Sequence, residues 1–221
     1  FFEGFSSGVH WSMGLVATIG LFVSILAHEL AHALVARRRG IEVDGITLFL
    51  LGGMAEMREE PRDPVSEILI AGAGPVCSLL LGGLLWIATR LGVGMEWPPP
   101  VNGTAGYLAV LNLLLGLFNL VPAFPLDGGR VLRAVLWGLT GNHARCTNIS
   151  VRFGMGLAWA AVVGGSAALL LGLPMAGLWL ALVGLFMRSA TKKAWERIEE
   201  EAAFAEHAAA PPPTEGEQRP L

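Results

Sequence analysis

Three residues able to hold and use a metal ion stand together in an otherwise apolar run, in the string His28-Glu29-Leu30-Ala31-His32. On a helix, side chains four residues apart lie on one face about one turn from each other, so both imidazoles can bind a single Zn²⁺. Glu29 is rotated by about 100° from His28. It lies off the ligand face yet within reach of a water beside the metal, where a carboxylate serves as general base. The plainer alternative is a pair of core histidines satisfied by neighbouring carbonyls, with Glu29 as their counter-charge. Ionisable groups inside apolar helices are costly, which makes those that remain functional candidates.

A catalytic zinc has three protein ligands and one open position, so a third ligand must come from elsewhere in the chain. Asp127 is the only other carboxylate embedded in apolar sequence; Glu67 and His10 lie nearer the ends of their segments. It follows the breaker run Pro122-Ala123-Phe124-Pro125-Leu126 and opens a helix-like stretch. Asp is also a favoured N-cap, and Gly128, Gly129 and Arg130 follow it, so capping is the competing reading. Capping does not need a carboxylate at this depth, since Ser or Thr would serve. Cys77 and Cys146 have no paired framework, which argues against a disulfide scaffold or CxxC chemistry.

The elements that must position these groups are membrane helices. The 221 residues are 53% hydrophobic and 15% charged, with 29 Gly, 13 Pro and a mean hydropathy of +0.58. Both fractions depart from those of soluble domains in the direction expected when lipid replaces water. Apolar stretches run over residues 11–36, 66–90, 104–121 and 152–187, and Gly172-Leu173-Pro174 divides the last into two crossings. The expected architecture is an α-helical polytopic membrane protein of about five transmembrane helices. Residues 126–139 are too short to span and carry two arginines, so they form a half-buried helix beginning near Asp127. A net charge of −3 with scattered bases excludes a nucleic-acid footprint.

The bases also set an orientation. If Arg37, Arg38 and Arg39 mark a cytosolic helix end, alternating passes put fourteen of the fifteen Lys and Arg on that side, leaving Arg90 outside. This holds only if residues 41–64 return without crossing, and Glu56, Arg58, Glu59, Glu60 and Arg62 make them too polar to cross. The β-branched residues and the Gly52-Gly53 pair in this stretch predict a small membrane-associated β-ribbon after the zinc helix. A ribbon there leaves a strand edge that must be paired, buried or functional. At the far end, residues 196–221 read as a short cytosolic helix followed by a Pro-rich linker, leaving residues 1–195 as the membrane core. The chain opens without Met or a signal-peptide pattern and reads as a piece of a longer protein.

With these residues assigned, the chain resembles the site-2 proteases, a family of intramembrane zinc metalloproteases. AHELAHALVARRRG (27–40) resembles the family's zinc helix, ITLFLLGGMAEM (46–57) its strand element, and FNLVPAFPLDGGRVLRA (118–134) its N-x-x-P-x-x-P-L-D-G motif. AGAGPVCSLLLG (71–82) is similar to the family's A-G-P helix, with Ser78 where other branches carry Asn. The resemblance implies one zinc per chain held by His28, His32 and Asp127, with Glu29 activating water. It implies that Asn119 contacts the scissile region and steadies the oxyanion, although an Asn in a helix interface is also common membrane glue. Asn112, seven residues earlier, has no motif support and reads as structural. The resemblance further implies a transmembrane helix before the zinc helix, and CBS modules, which bind adenine nucleotides, beyond the C-terminus.

The implied activity is hydrolysis of a peptide bond in or near a transmembrane segment of a membrane-protein substrate. Such a segment must unwind before attack, and the unwound strand can add to the free edge of the ribbon, at Leu48, Phe49, Leu50, Gly52 and Gly53. Lipid is the other partner, and the active site falls toward the cytosolic side. Two competing classes make different demands on the sequence. A metal transporter needs polar ligands along a path, whereas residues 66–90 and 152–187 offer almost none beyond Ser78, Thr89 and Ser166. A catalytically silent binder of membrane segments has no need of Glu29.

Overall fold

The computed structural model describes residues 5–49, 52–57 and 59–209, with side chains left undescribed at 46–49, 52–57, 197–198 and 201–209. The elements in chain order are α1 (Ser7–Arg38), β1 (Val43–Phe49), β2 (Gly52–Met57), α2 (Pro64–Gly94), α3 (Pro99–Asn119), α4 (Asp127–Thr140), α5 (His143–Leu170) and α6 (Pro174–Ala209). Five of the six helices, all but α4, are long and apolar enough to cross a membrane. Phe1–Gly154 and Met155–Leu221 form two compact units.

The distribution of side chains is the reverse of that in a water-soluble bundle. Leu15, Leu84 and Leu114 are 57–64% exposed, while Glu67 and Asn112 are fully buried and His28, Glu29, His32, Ser78 and Arg133 nearly so. Apolar surface facing outward around a polar interior is stable only where the surroundings are themselves apolar. The protein is therefore an integral membrane protein.

In the first unit, α1 ends in a Schellman motif. Gly40, at φ 80°, donates its N–H to the Arg37 carbonyl, and the Ile41 N–H reaches Ala36 at 3.0 Å. Ile41 packs with Ala36 and Ile70, fixing where the chain leaves the helix. Arg37 and Arg38 in the last turn sit at the favourable end of the helix dipole. The antiparallel ribbon follows, with Ile46 opposite Ala55, Thr47 opposite Met54, Leu48 opposite Gly53 and Phe49 opposite Gly52. An irregularity between Val43 and Gly45 bends its base, and the ribbon packs on α1. Each strand has a single partner among the described residues, so its other edge is unpaired there. Leu50 lies outside the described residues.

The start of α2 is capped by Asp63, which accepts hydrogen bonds from the Ser66 hydroxyl (2.5 Å) and amide (2.9 Å), with Pro64 at the first helical position. Those two bonds hold the Asp63 carboxyl below the usual carboxylate range. Close helix contacts use small residues: a side chain at Gly116 would strike Leu79 and the Pro75 carbonyl, and one at Gly82 would strike Leu113. Between α3 and α1, the Asn112 amide donates to Ser24 Oγ at 2.9 Å, one turn from His28. Gly128 and Gly129 press α4 against the carbonyls of Leu120, Val121 and Ala123, closer than any Cβ could come.

In the second unit, the remainder of α5 and α6 form an antiparallel hairpin through Leu171–Leu173, with Gly172 at φ 81°. Gly165, Gly177 and Gly184 let the two backbones meet, and the Arg188 guanidinium lies 4.9 Å from the Trp159 ring centroid. The division expected at residues 172–174 falls where the structure has it. No break separates the last crossing from the helix that follows it, because α6 continues to Ala209. The Pro-rich residues beyond it lie outside the described ones.

Candidate metal centre

α1 brings His28 and His32 to one face, with ring centroids 4.8 Å apart and planes at 74°. Asp127 arrives from α4. Its Oδ2 lies 3.1 Å from His28 Nε2 and 3.2 Å from His32 Nε2. The helix N-cap is Leu126, not Asp127, and no side chain caps it. The Asp127 carboxylate therefore sits in the first helical turn and is turned toward the imidazoles.

The outer nitrogens decide what the inner ones can do. His32 Nδ1 lies 2.6 Å from the Ile70 carbonyl, an acceptor only, so Nδ1 carries the proton. In neutral His32, Nε2 is then a lone pair facing a carboxylate oxygen. Two acceptors at 3.2 Å repel unless a cation or a proton lies between them. His28 Nδ1 is 2.9 Å from Ser78 Oγ, so its Nε2 is also held toward Asp127. Tetrahedral zinc with bonds of about 2.0–2.1 Å separates its ligand atoms by about 3.3 Å, close to both measured spacings. The donors are within 4.8 Å of one another and sheltered from solvent. In chemistry and in spacing this set fits a zinc ion.

One face of α2 backs the whole arrangement. Glu67, Ile70, Gly74 and Ser78 fall at i, i+3, i+7 and i+11, within an arc of about 80°. Ile70 and Ser78 orient the two histidines. At Gly74, any Cβ would lie 2.5 Å from His28 Nε2 and closer still to His32 Nε2. Glycine is required there because the imidazoles occupy the space of a side chain. Glu29 is buried on α1 beside His28. Asn119 is the last residue of α3, half-buried, and its amide donates to the Leu115 carbonyl in its own helix at 2.9 Å.

The residues that orient the ligands were less visible in the sequence than the ligands themselves. Ser78 stands out as a departure from the A-G-P helix pattern and as one of few polar residues in its segment, yet nothing in the sequence pairs it with His28, and the Ile70 carbonyl has no side-chain signature. The signal that finds them is the stripe of Glu67, Gly74 and Ser78 at helical spacing in α2, small or polar where lipid-facing positions would be large and apolar.

This arrangement is a polar, metal-sized cradle inside a lipid-facing helical bundle, the class of an integral membrane protein with a buried metal-binding centre. A family profile described as Peptidase family M50 matches residues 16–98 and 94–161. The chain belongs to peptidase family M50. It is 42% identical over 95% of its length to sll0528 of Synechocystis sp., whose name marks it as a candidate zinc metalloprotease, covering 56% of that protein. It is 35% identical over 90% of its length to the zinc metalloprotease MJ0392 of Methanocaldococcus jannaschii, covering 54% of it. The chain thus spans about half the length of the curated relatives it matches. In fold it is similar to a site-2 protease from Methanocaldococcus jannaschii, with a TM-score of 0.63 and 36% identity over 79% of this chain and 75% of that one.

Proposed function

We propose that this chain is the catalytic domain of an intramembrane zinc metalloprotease that hydrolyses a peptide bond within or near the transmembrane segment of a membrane-protein substrate. The observation that carries the reading is the convergence of His28 Nε2, His32 Nε2 and Asp127 Oδ2 inside a bundle with an apolar exterior. The names of the relatives, zinc metalloprotease and site-2 protease, support it.

One zinc per chain would be held by His28, His32 and Asp127. When bound there, zinc supplies Lewis acidity toward the scissile carbonyl and makes a water a usable nucleophile near neutral pH. Glu29 takes the proton from that water and returns it to the leaving amine, which its place one residue after a ligand allows. The Asn119 amide donates a hydrogen bond to the oxygen that gains charge during attack. The Ile70 carbonyl keeps His32 in the tautomer with its Nε2 lone pair facing inward, and Ser78 holds the His28 ring so that its Nε2 faces the same point.

The substrate segment unwinds and pairs as an extended strand along the unpaired edge of the ribbon formed by residues 46–49 and 52–57, where main-chain hydrogen bonds grip it whatever its side chains. Residues 1–195 act as the catalytic core and 196–221 as a cytosolic tail leading toward attached modules of the CBS type. The metal site lies toward the cytosol in this reading, which the basic run Arg37, Arg38 and Arg39 at the end of the zinc helix supports.

The deciding experiment compares wild-type protein with Glu29→Gln in liposomes, measuring zinc content and cleavage of a model transmembrane substrate. Wild type should hold close to one zinc and cleave. The variant should keep its zinc and lose at least about 100-fold in rate, the low end of a general-base contribution. Near wild-type cleavage by the variant would remove Glu29 from the mechanism. Equal zinc content in the His28→Ala/His32→Ala double variant would remove the metal site.

A further inference from the structure

The position of Asp127 depends on how α4 is docked, and the structure carries a device for that outside the metal centre. Arg133 lies six residues after Asp127, about 9 Å along α4 and about 120° around it. Its side chain is only 4% exposed. It meets Glu67 of α2 through Nε at 2.7 Å and also through Nη2, both to Oε1. The guanidinium also lies 5.7 Å from the ring centroid of Phe124, in the turn that leads into Asp127. At the surface end, Nη1 is 3.5 Å from Glu60, whose side chain is mostly exposed.

Stability alone is a poor reason for such a pair. Burying two charges costs much of what their attraction returns, and apolar replacement of a whole buried pair is often neutral or stabilising. Here protein contacts do not fully offset the desolvation, because Glu67 Oε2 is buried with no hydrogen-bond partner among the described residues. What a charged pair adds over an apolar contact is direction: a guanidinium held by one carboxylate fixes rotation and height, whereas packed methylenes allow sliding. Glu67 belongs to the same α2 face as Ile70, Gly74 and Ser78. That face therefore holds both histidines and, through Arg133, the helix that carries the third donor.

We infer that the buried Arg133–Glu67 pair is a positioning lock for Asp127, setting the rotation and height of α4 so that Oδ2 meets both imidazoles. The inference rests on the reading of the site as a zinc centre. Neither residue belongs to the donor set of His28, His32 and Asp127. Their role is exerted through α4 and must appear as metal affinity and ligand geometry.

The test uses the purified full chain in detergent, with zinc affinity measured by chelator competition, the visible bands of the Co²⁺-loaded protein, and thermal unfolding of the metal-free protein. The variants are Glu67→Gln, Arg133→Lys, and the apolar double Glu67→Met/Arg133→Met. The double should unfold within a few degrees of wild type or higher, yet bind zinc at least about tenfold more weakly with an altered Co²⁺ spectrum. Glu67→Gln should also weaken zinc binding, and Arg133→Lys, which keeps the charge, should lie nearer wild type than the double. A double variant with wild-type zinc affinity and spectrum overturns the lock. So do affinity losses that merely track loss of folded protein. Failure of wild type itself to bind zinc would instead overturn the metal-site reading, so the two failures are told apart.

Discussion

Alanine at position 74 should raise the helix propensity of α2 and still empty the metal site. In a helix interior, Gly→Ala is favourable by about 0.8–1 kcal/mol, so backbone considerations predict a slightly more stable protein. The space around Gly74 predicts the opposite outcome for function. A Cβ there would sit 2.5 Å from His28 Nε2 and 2.6 Å from His28 Cδ2, while ordinary contact begins at about 3.4 Å. His28 would have to withdraw by about 0.9 Å, and His32 by more. Metal–ligand distances tolerate about 0.2 Å, and the imidazoles cannot yield freely because Ser78 and Ile70 grip them from behind. Loss of an orienting partner weakens metal binding by about 10–100-fold, and displacing the ligand itself should exceed that range. Gly72→Ala is the internal control: it lies in the same helix, and a Cβ there meets nothing within 4 Å. Chelator competition on Gly74→Ala, Gly72→Ala and wild type, with thermal unfolding of the metal-free proteins, separates the effects. The expected pattern is a zinc affinity more than about 100-fold weaker in Gly74→Ala alone, with the unfolding temperature unchanged or raised in Gly72→Ala and lowered in Gly74→Ala, where overpacking of about 1–3 kcal/mol outweighs the propensity gain. Wild-type affinity in Gly74→Ala would refute the argument that α2 shapes the cradle.

Ser78→Ala removes the partner of His28 Nδ1 and should weaken zinc binding about tenfold, while Ser78→Thr, which keeps a hydroxyl, should recover part of it; equal affinity in Ser78→Ala would show that the 2.9 Å contact does not orient the ring. Prolines placed in turn at residues 46 to 49 should abolish cleavage at alternate positions, those whose N–H faces away from β2, with zinc binding kept. Uniform loss would indicate a collapsed ribbon, and no loss anywhere would exclude strand docking. For topology, single cysteines in a background lacking Cys77 and Cys146 should be shielded from an impermeant reagent at Glu215 and labelled at Asn102 in intact cells; the reverse pattern would overturn the cytosolic placement.

The sequence announces some of these features and hides others for identifiable reasons. Helix crossings are legible because lipid imposes one requirement on every outward position, so composition alone finds α1, α2, α3, α5 and the first part of α6. Local chemistry is legible as well. His28 and His32 are four residues apart, and Gly172-Leu173-Pro174 is a turn wherever it falls. The ribbon could be expected from β-branched residues and a Gly-Gly pair, though its register, with Phe49 opposite Gly52, needs coordinates. Asp127 was ambiguous between cap and ligand because both uses favour the first turn of a helix. The 3.1 and 3.2 Å approaches to the two imidazoles, together with Leu126 at the cap, favour the ligand reading.

Long-range polar partners are what the sequence conceals. Glu67 looks like a first-turn acid at a helix N-terminus, where a carboxylate is favoured on its own account, and Arg133 looks like a boundary base on a short amphipathic helix. Each has a sufficient local explanation, so neither suggests the other across 66 residues of chain. The same holds for Ser24 and Asn112, which read as ordinary small and polar residues in membrane helices until the amide is seen on the hydroxyl 88 positions away. In a water-soluble protein such groups would be exposed by default, and burial would be the surprise. In lipid the default inverts: a polar side chain with no outward exit must find a partner inside, and the bundle can satisfy it only by bringing distant elements together. The polar residues of α1, α2, α3 and α4 are therefore the ones that determine how the helices dock. The candidate metal donors are the subset of that interior whose lone pairs face one another.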